Sequence, residues 1–176
     1  MNNAALDVLK QRRAIRSYKP EQISDEELNA VLEAGTYAPT GKGSQCPVII
    51  AVQDPEMRDR VAKLNAKVMG TNSDPYYGAP TIVLVLFGDR AYDEEIGILD
   101  CAAVTTNMLN AAYACGLGSC WINRPKQMFA MEEGKELLRE WGLPDNLRGV
   151  ASIALGYADC ELPTPPARKE DYITVI

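Results

Sequence analysis

A chain of 176 residues with 47% hydrophobic and 24% charged side chains has the apolar content for a buried core and lies outside the disordered and fibrous classes. Its formal net charge of −6 argues against a broad nucleic-acid face, and its longest apolar run, TIVLVLF at 81–87, suits a strand and not a membrane span. With no histidine at all, the chain has no Ser-His-Asp or Cys-His nucleophile, no His-ligated metal and no imidazole shuttle, so any chemistry points to a cofactor.

Residues 4–13 carry Leu6, Val8 and Leu9 and end in arginines, the pattern of a short helix with cations at its C-terminal end. Ser24 with Glu27 three residues on predicts a capping box opening a second helix, with Leu28, Val31 and Leu32 as its stripe and Gly35 as its stop. The loop APTGKGSQCP leads to a strand, VIIAV. Asp54-Pro55 opens a third helix, with Met57, Val61, Leu64 and Val68 at helical spacing and Gly70 at its close. The loop TNSDPYYGAP leads into the buried strand 81–87. Beyond an acidic linker (Asp89, Asp93, Glu94, Glu95), residues 97–115 predict a small-residue helix that a partner helix or flat ligand can approach closely. LGSCWI is a short strand, 130–141 a helix ended by Gly142 and Pro144, and GVASIALGY a last core strand. The final 19 residues hold three prolines and no helical period. Fully extended at ~3.3 Å per residue they reach roughly 60 Å, enough to cross onto a neighbouring subunit. The expected organisation is one domain over 1–157, with the tail 158–176 belonging to it.

Five cysteines (Cys46, Cys101, Cys115, Cys120, Cys160), odd in number and without CxxC spacing, suggest neither a disulfide framework nor a zinc site, and no metal ligands are assigned. The first residues lack a cationic segment followed by an apolar core, so a cytoplasmic location is the expectation. PTGKGSQ at 39–45 fails as a phosphate-binding P-loop, because that motif lies between strand and helix and here the order is helix, loop, strand. No GxGxxG occurs. The acidic residues 89–95 read as a solvated loop before a glycosidase pair or metal ligands. QRRAIRSYKP gathers Arg12, Arg13, Arg16 and Lys19 in an acidic chain; arginine forks match phosphate or carboxylate oxygens, which makes this cluster an anion-site candidate.

In order, RRAIRSY, APTGKGSQ, GAPTIVLV, GLGSCWIN and ARKEDYITVI resemble the FMN-dependent nitroreductase family in its short form, from about residue 6 to the end. The resemblance implies an α+β fold, a central mixed sheet wrapped by helices, in a domain-swapped homodimer with FMN at each interface. It also implies FMN contacts from Arg12, Arg13 and Arg16, with Arg12 on the phosphate and Arg16 near the ribityl chain and pyrimidine edge. Arg168 of the tail would join Arg12. Pro39, Thr40 and Gln45 would lie against the ring from the partner subunit, and backbone amides around Ile122, Asn123 and Arg124 would face its N5–O4 edge. Asn65, in preference to Asn72, would read the pyrimidine. Ala14 and Gly43 stand where the family often has Ser and Asn. The implied activity is an NAD(P)H-dependent, ping-pong, two-electron reduction of nitroaromatics, quinones or related acceptors. Hydride would pass through flavin N5, and no catalytic protein acid or base is assigned. Another flavin-dependent reduction on the same fold and a non-catalytic flavin carrier are the alternatives.

Overall fold

The computed structural model describes residues 3–176; Met1 and Asn2 of the expected domain lie outside the described residues. Asn3 caps α1 (Ala4–Gln11), its side-chain oxygen accepting the N–H groups of Ala5 and Leu6. The helix ends before the arginines: Arg12 is already its extended C-cap, so the basic cluster runs out along the sheet instead of forming a last turn. In α2 (Asp25–Thr36) the capping box is present, with Ser24 Oγ accepting the Glu27 N–H and the Glu27 carboxylate accepting the Ser24 N–H. Gly35 does not stop this helix. It lies where α2 meets α4, and a Cβ there would stand 2.8 Å from Met108 Cγ.

After β1 (Pro47–Val52), α3 (Pro55–Met69) is capped by Asp54 and closed by Gly70 in the left-handed region. The sheet continues with β2 (Thr81–Phe87). The helix α4 (Glu94–Ala114) starts three residues earlier than its apolar pattern: Asp93 caps it and the acidic residues of the presumed linker form its first turn, where they complement the macrodipole. Then come β3 (Gly118–Ile122), α5 (Pro125–Ala130), α6 (Glu132–Glu140) and β4 (Arg148–Gly156). The sequence pattern missed α5 and placed a single helix over 130–141; the chain breaks extended at Met131 between α5 and α6.

The strand order is β1-β2-β4-β3, antiparallel throughout, with an irregular register where Val85 and Leu86 face Ala151 and Gly149. The expected mixed character is confined, among the described residues, to the isolated parallel bridge Ala14–Ser119. All of β2 is buried, and its side chains alternate between two cores. Ile82, Leu84 and Leu86 pack with residues of α3, α5 and α6; Val83, Val85 and Phe87 pack with α2 and α4. Each such side chain contributes about 1.5–3 kcal/mol of transfer free energy. The result is α+β in three layers, with the sheet in the middle. No helix among the described residues is long and apolar enough to cross a membrane. The tail leaves the sheet through an antiparallel bridge between Tyr18 and Ala158, and from Asp159 onward every residue is exposed.

Candidate functional site

The extended segment after α1 and the tail face each other across a cleft of about 640 Å³, with Arg12, Arg13 and Ala14 on one side and Pro165, Pro166 and Arg168 on the other. Two regions more than 150 residues apart in the chain thus bring three guanidinium groups together. Arg13 is pinned, Nη1 donating to the carbonyls of Lys10 and Arg12 at 2.8 and 2.6 Å, while its Nε is buried without a partner. Arg168 folds back on its own turn, Nε and Nη2 donating to Pro166 O at 3.2 and 2.8 Å. Among the described residues no carboxylate pairs with Arg12, Arg13, Arg16 or Arg168, although salt bridges occupy arginines elsewhere. Guanidinium groups without carboxylate partners in an acidic chain make this cleft a candidate anion site. Arg16 is exposed beyond this cleft. Its charge and that of Arg12 reach Cys120, whose thiol burial pushes up and these cations partly pull back.

Thr40 and Gln45 line a different cleft, of about 170 Å³, next to exposed Pro39. Within one chain this loop does not meet the arginines. Its shape comes from α4: the Asp100 carboxylate, 6% exposed, accepts the Gly41 N–H at 2.8 Å, the Ser44 hydroxyl at 3.3 Å and the Cys46 thiol at 3.4 Å. Burial is the main cause holding that thiol above its ordinary range. Lys42, Gly43 and Gln45 all take positive φ, and Thr40 Oγ1 accepts the Gln45 N–H. Gly43 at φ 65° meets nothing within 4 Å of a built Cβ, so the asparagine of the family pattern and this glycine suit the same left-handed position.

The third cluster surrounds the turn from β3 to α5. Asn65 is fully buried, its amide donating to Tyr76 Oη at 3.1 Å and to Asn123 O at 3.0 Å, and accepting from Arg124 Nε at 2.8 Å. Both amide hydrogens and one lone pair of Asn65 are thus engaged inside the protein. Asn72 is exposed in the loop after α3. Ser152 Oγ, also buried, donates to Ile122 O at 3.0 Å and meets Tyr76 Oη at 3.0 Å. Ile122 is buried, Asn123 is exposed, and Arg124 stands at φ 86° immediately before Pro125. A left-handed residue costs roughly 1–3 kcal/mol and proline disfavours helical ψ in the residue before it, so the surroundings must hold this turn.

Sequence reasoning missed Asp100, Tyr76 and Ser152. Asp100 had a readable signal, a lone carboxylate inside an apolar, Ala-rich helix. Tyr76 and Ser152 had none, because their roles arise from contacts across 76 positions.

A sequence model of the Nitroreductase family matches residues 9–76 and 67–157. A protein of Archaeoglobus fulgidus, provisionally named NADH dehydrogenase/NAD(P)H nitroreductase, is 32% identical over 153 residues, covering 86% of this chain and 84% of its own. The NADPH-flavin oxidoreductase of Vibrio harveyi is 28% identical over 167 residues, covering 90% of this chain and 67% of its own. The crystal structure of a Bacteroides fragilis nitroreductase with bound FMN superposes with a TM-score of 0.89 at 29% identity, over 99% of this chain and all of that one.

Proposed function

Since the chain belongs to the nitroreductase family, we propose that it is an FMN-dependent, NAD(P)H-oxidising oxidoreductase whose arginine cleft takes the FMN phosphate. The observation that carries this reading is the meeting of Arg12, Arg13 and Arg168 in one cleft without carboxylate partners. The donor set suits the group: planar forks for a phosphate dianion, and a buried Nε still lacking an acceptor. FMN, when bound, supplies the two-electron chemistry, taking hydride from NADH or NADPH in one half-reaction and delivering the pair to a nitroaromatic, quinone or related acceptor in the next.

The chain's own residues bind and orient. Arg12, Arg13 and Arg168 would hold the phosphate, and Arg16 would place its charge near the pyrimidine end, favouring the electron-rich state. The amides of the Ile122–Arg124 turn would meet the ring's N5–O4 edge. With no histidine and no assigned acid or base, solvent supplies protons. Pro39, Thr40 and Gln45 lie away from the arginine cleft, which supports their delivery to the ring by a second copy of the chain. The exposed apolar end of the tail, with Tyr172, Ile173, Val175 and Ile176 all at least 70% exposed, supports the same homodimer, the tail 158–176 leaving its domain to cover the partner.

The test is FMN titration followed by flavin fluorescence, then bleaching by NADH or NADPH and recolouring by a nitroaromatic or quinone. Two lost charge-assisted contacts of about 1.5–3 kcal/mol each predict at least a hundredfold weaker binding in Arg12→Ala/Arg168→Ala. Stoichiometric flavin retained by that double variant rejects the site; a flavin that stays oxidised rejects the activity.

A further inference from the structure

The hydrogen bonds around Asn65 have only one consistent direction. Both Asn65 amide hydrogens are used, on Tyr76 Oη and Asn123 O. Ser152 spends its single hydrogen on Ile122 O. The Tyr76 hydroxyl must then donate to Ser152 Oγ, the remaining 3.0 Å contact. Burial pushes the Tyr76 phenol up to about 12, so it keeps that proton at neutral pH. A directed chain runs from Asn65 through Tyr76 and Ser152 into the carbonyl of Ile122, with a branch to the carbonyl of Asn123 and a third tie to Arg124 Nε.

Those ties, added to the ladder that pairs Ile122 with Ser152, hold which way the turn faces. A trans peptide unit is planar, with its C=O and N–H pointing oppositely. Drawing the Ile122 and Asn123 carbonyls inward turns the N–H groups of Asn123 and Arg124 away from the core, and neither N–H has a protein acceptor among the described residues. The left-handed Arg124 before Pro125 is the conformation this arrangement enforces.

We propose that Asn65, Tyr76 and Ser152 are positioning residues that raise the electron affinity of the bound flavin by holding the Asn123 and Arg124 N–H groups outward as paired donors. This rests on the flavin reading above. Preorganised donors stabilise the state in which negative charge develops, here the reduced ring, and lose most of that effect when the turn can relax. None of the three side chains needs to touch the cofactor.

The experiment compares FMN-loaded wild type with Tyr76→Phe, measuring the Kd of oxidised FMN and the two-electron potential against a reference dye. Tyr76→Phe removes only the hydroxyl joining Asn65 to Ser152. Affinity for oxidised FMN is expected to stay within about threefold, because the phosphate cleft is untouched. Affinity for reduced FMN should fall about tenfold relative to oxidised, lowering the potential by about 30 mV. Ser152→Ala, which removes the side-chain tie to the Ile122 carbonyl together with the acceptor of the Tyr76 hydroxyl, should shift it the same way, and it decides the matter if Tyr76→Phe does not fold. Bound FMN at an unchanged or raised potential in the variant overturns the positioning role. Wild type that binds no FMN overturns the flavin reading and this assignment with it, a distinct result.

Discussion

The Asp100 carboxylate accepts the Gly41 N–H at 2.8 Å across 59 positions of sequence, so the long helix α4 dictates the path of the glycine-rich loop. Asp100→Ala orphans that amide together with the Ser44 hydroxyl and the Cys46 thiol. Leaving the buried Cys46 thiol and two half-buried donors unsatisfied costs about 2–3 kcal/mol, which in a domain this size lowers Tm by about 4–12 °C. Calorimetry reads this directly, and Asp100→Asn, which retains one acceptor oxygen, should lose less.

Arg58 and Asp74 give a pH dependence with a defined sign. Burial pushes Asp74 upward, but its bond to the Arg58 guanidinium and the amides of Tyr76 and Gly78 outweigh burial and hold the carboxyl below its ordinary value of 3.8. A depressed folded pKa contributes stability above the unfolded value, and that contribution is lost as pH falls through the folded one. Asp74→Asn should therefore lower the urea midpoint near neutral pH, by about 2 kcal/mol in stability. The gap to wild type should close progressively below about pH 4. A gap that widens on acidification would contradict the assignment.

Gly149 lies against the backbone of α5. A Cβ there would stand 2.3 Å from Pro125 O and 2.5 Å from its carbonyl carbon, atoms that cannot rotate away. Gly149→Ala should push α5 off β4 and cost about 3 kcal/mol, seen as a lower denaturant midpoint with little change in m. Because Pro125 directly follows Arg124, the same variant should also disturb flavin binding.

The thiols should separate by environment. Cys160 is exposed and Cys115 intermediate, whereas Cys46, Cys101 and Cys120 are buried and each is pushed up chiefly by burial. A disulfide reagent at about pH 8 should find one fast site, abolished by Cys160→Ser, and a slower one at Cys115. The other three should react only in denaturant; a fast third thiol would contradict the packing of both cores.

Elements whose cause is local were readable in the sequence. The capping box at Ser24–Glu27 and the closure of α3 by Gly70 depend on neighbours a few positions away, and both formed where expected. Gly35 misled because a helical glycine can serve a close helix crossing instead of a terminus, which only the position of Met108 reveals. The helix α5 was missed because six residues opened by proline carry less than two turns of pattern. Arg12, Arg13 and Arg168 share a cleft that no local pattern in the sequence reveals. Asn65 shows the limit: helical spacing puts it on α3, but nothing local says that Tyr76, Asn123 and Arg124 meet its amide.

Neither hydrophobic cluster contains a residue beyond Ala158, yet one wall of the arginine cleft is built from Pro165, Pro166 and Arg168. Within one chain the interior is complete before the last eighteen residues are reached, and in the proposed site those residues would grip the ligand without adding to either cluster. Variation in this stretch is therefore thermodynamically cheap: lineages can retune what the cleft grips, or with which neighbour it is shared, while the packed layers beneath stay as they are.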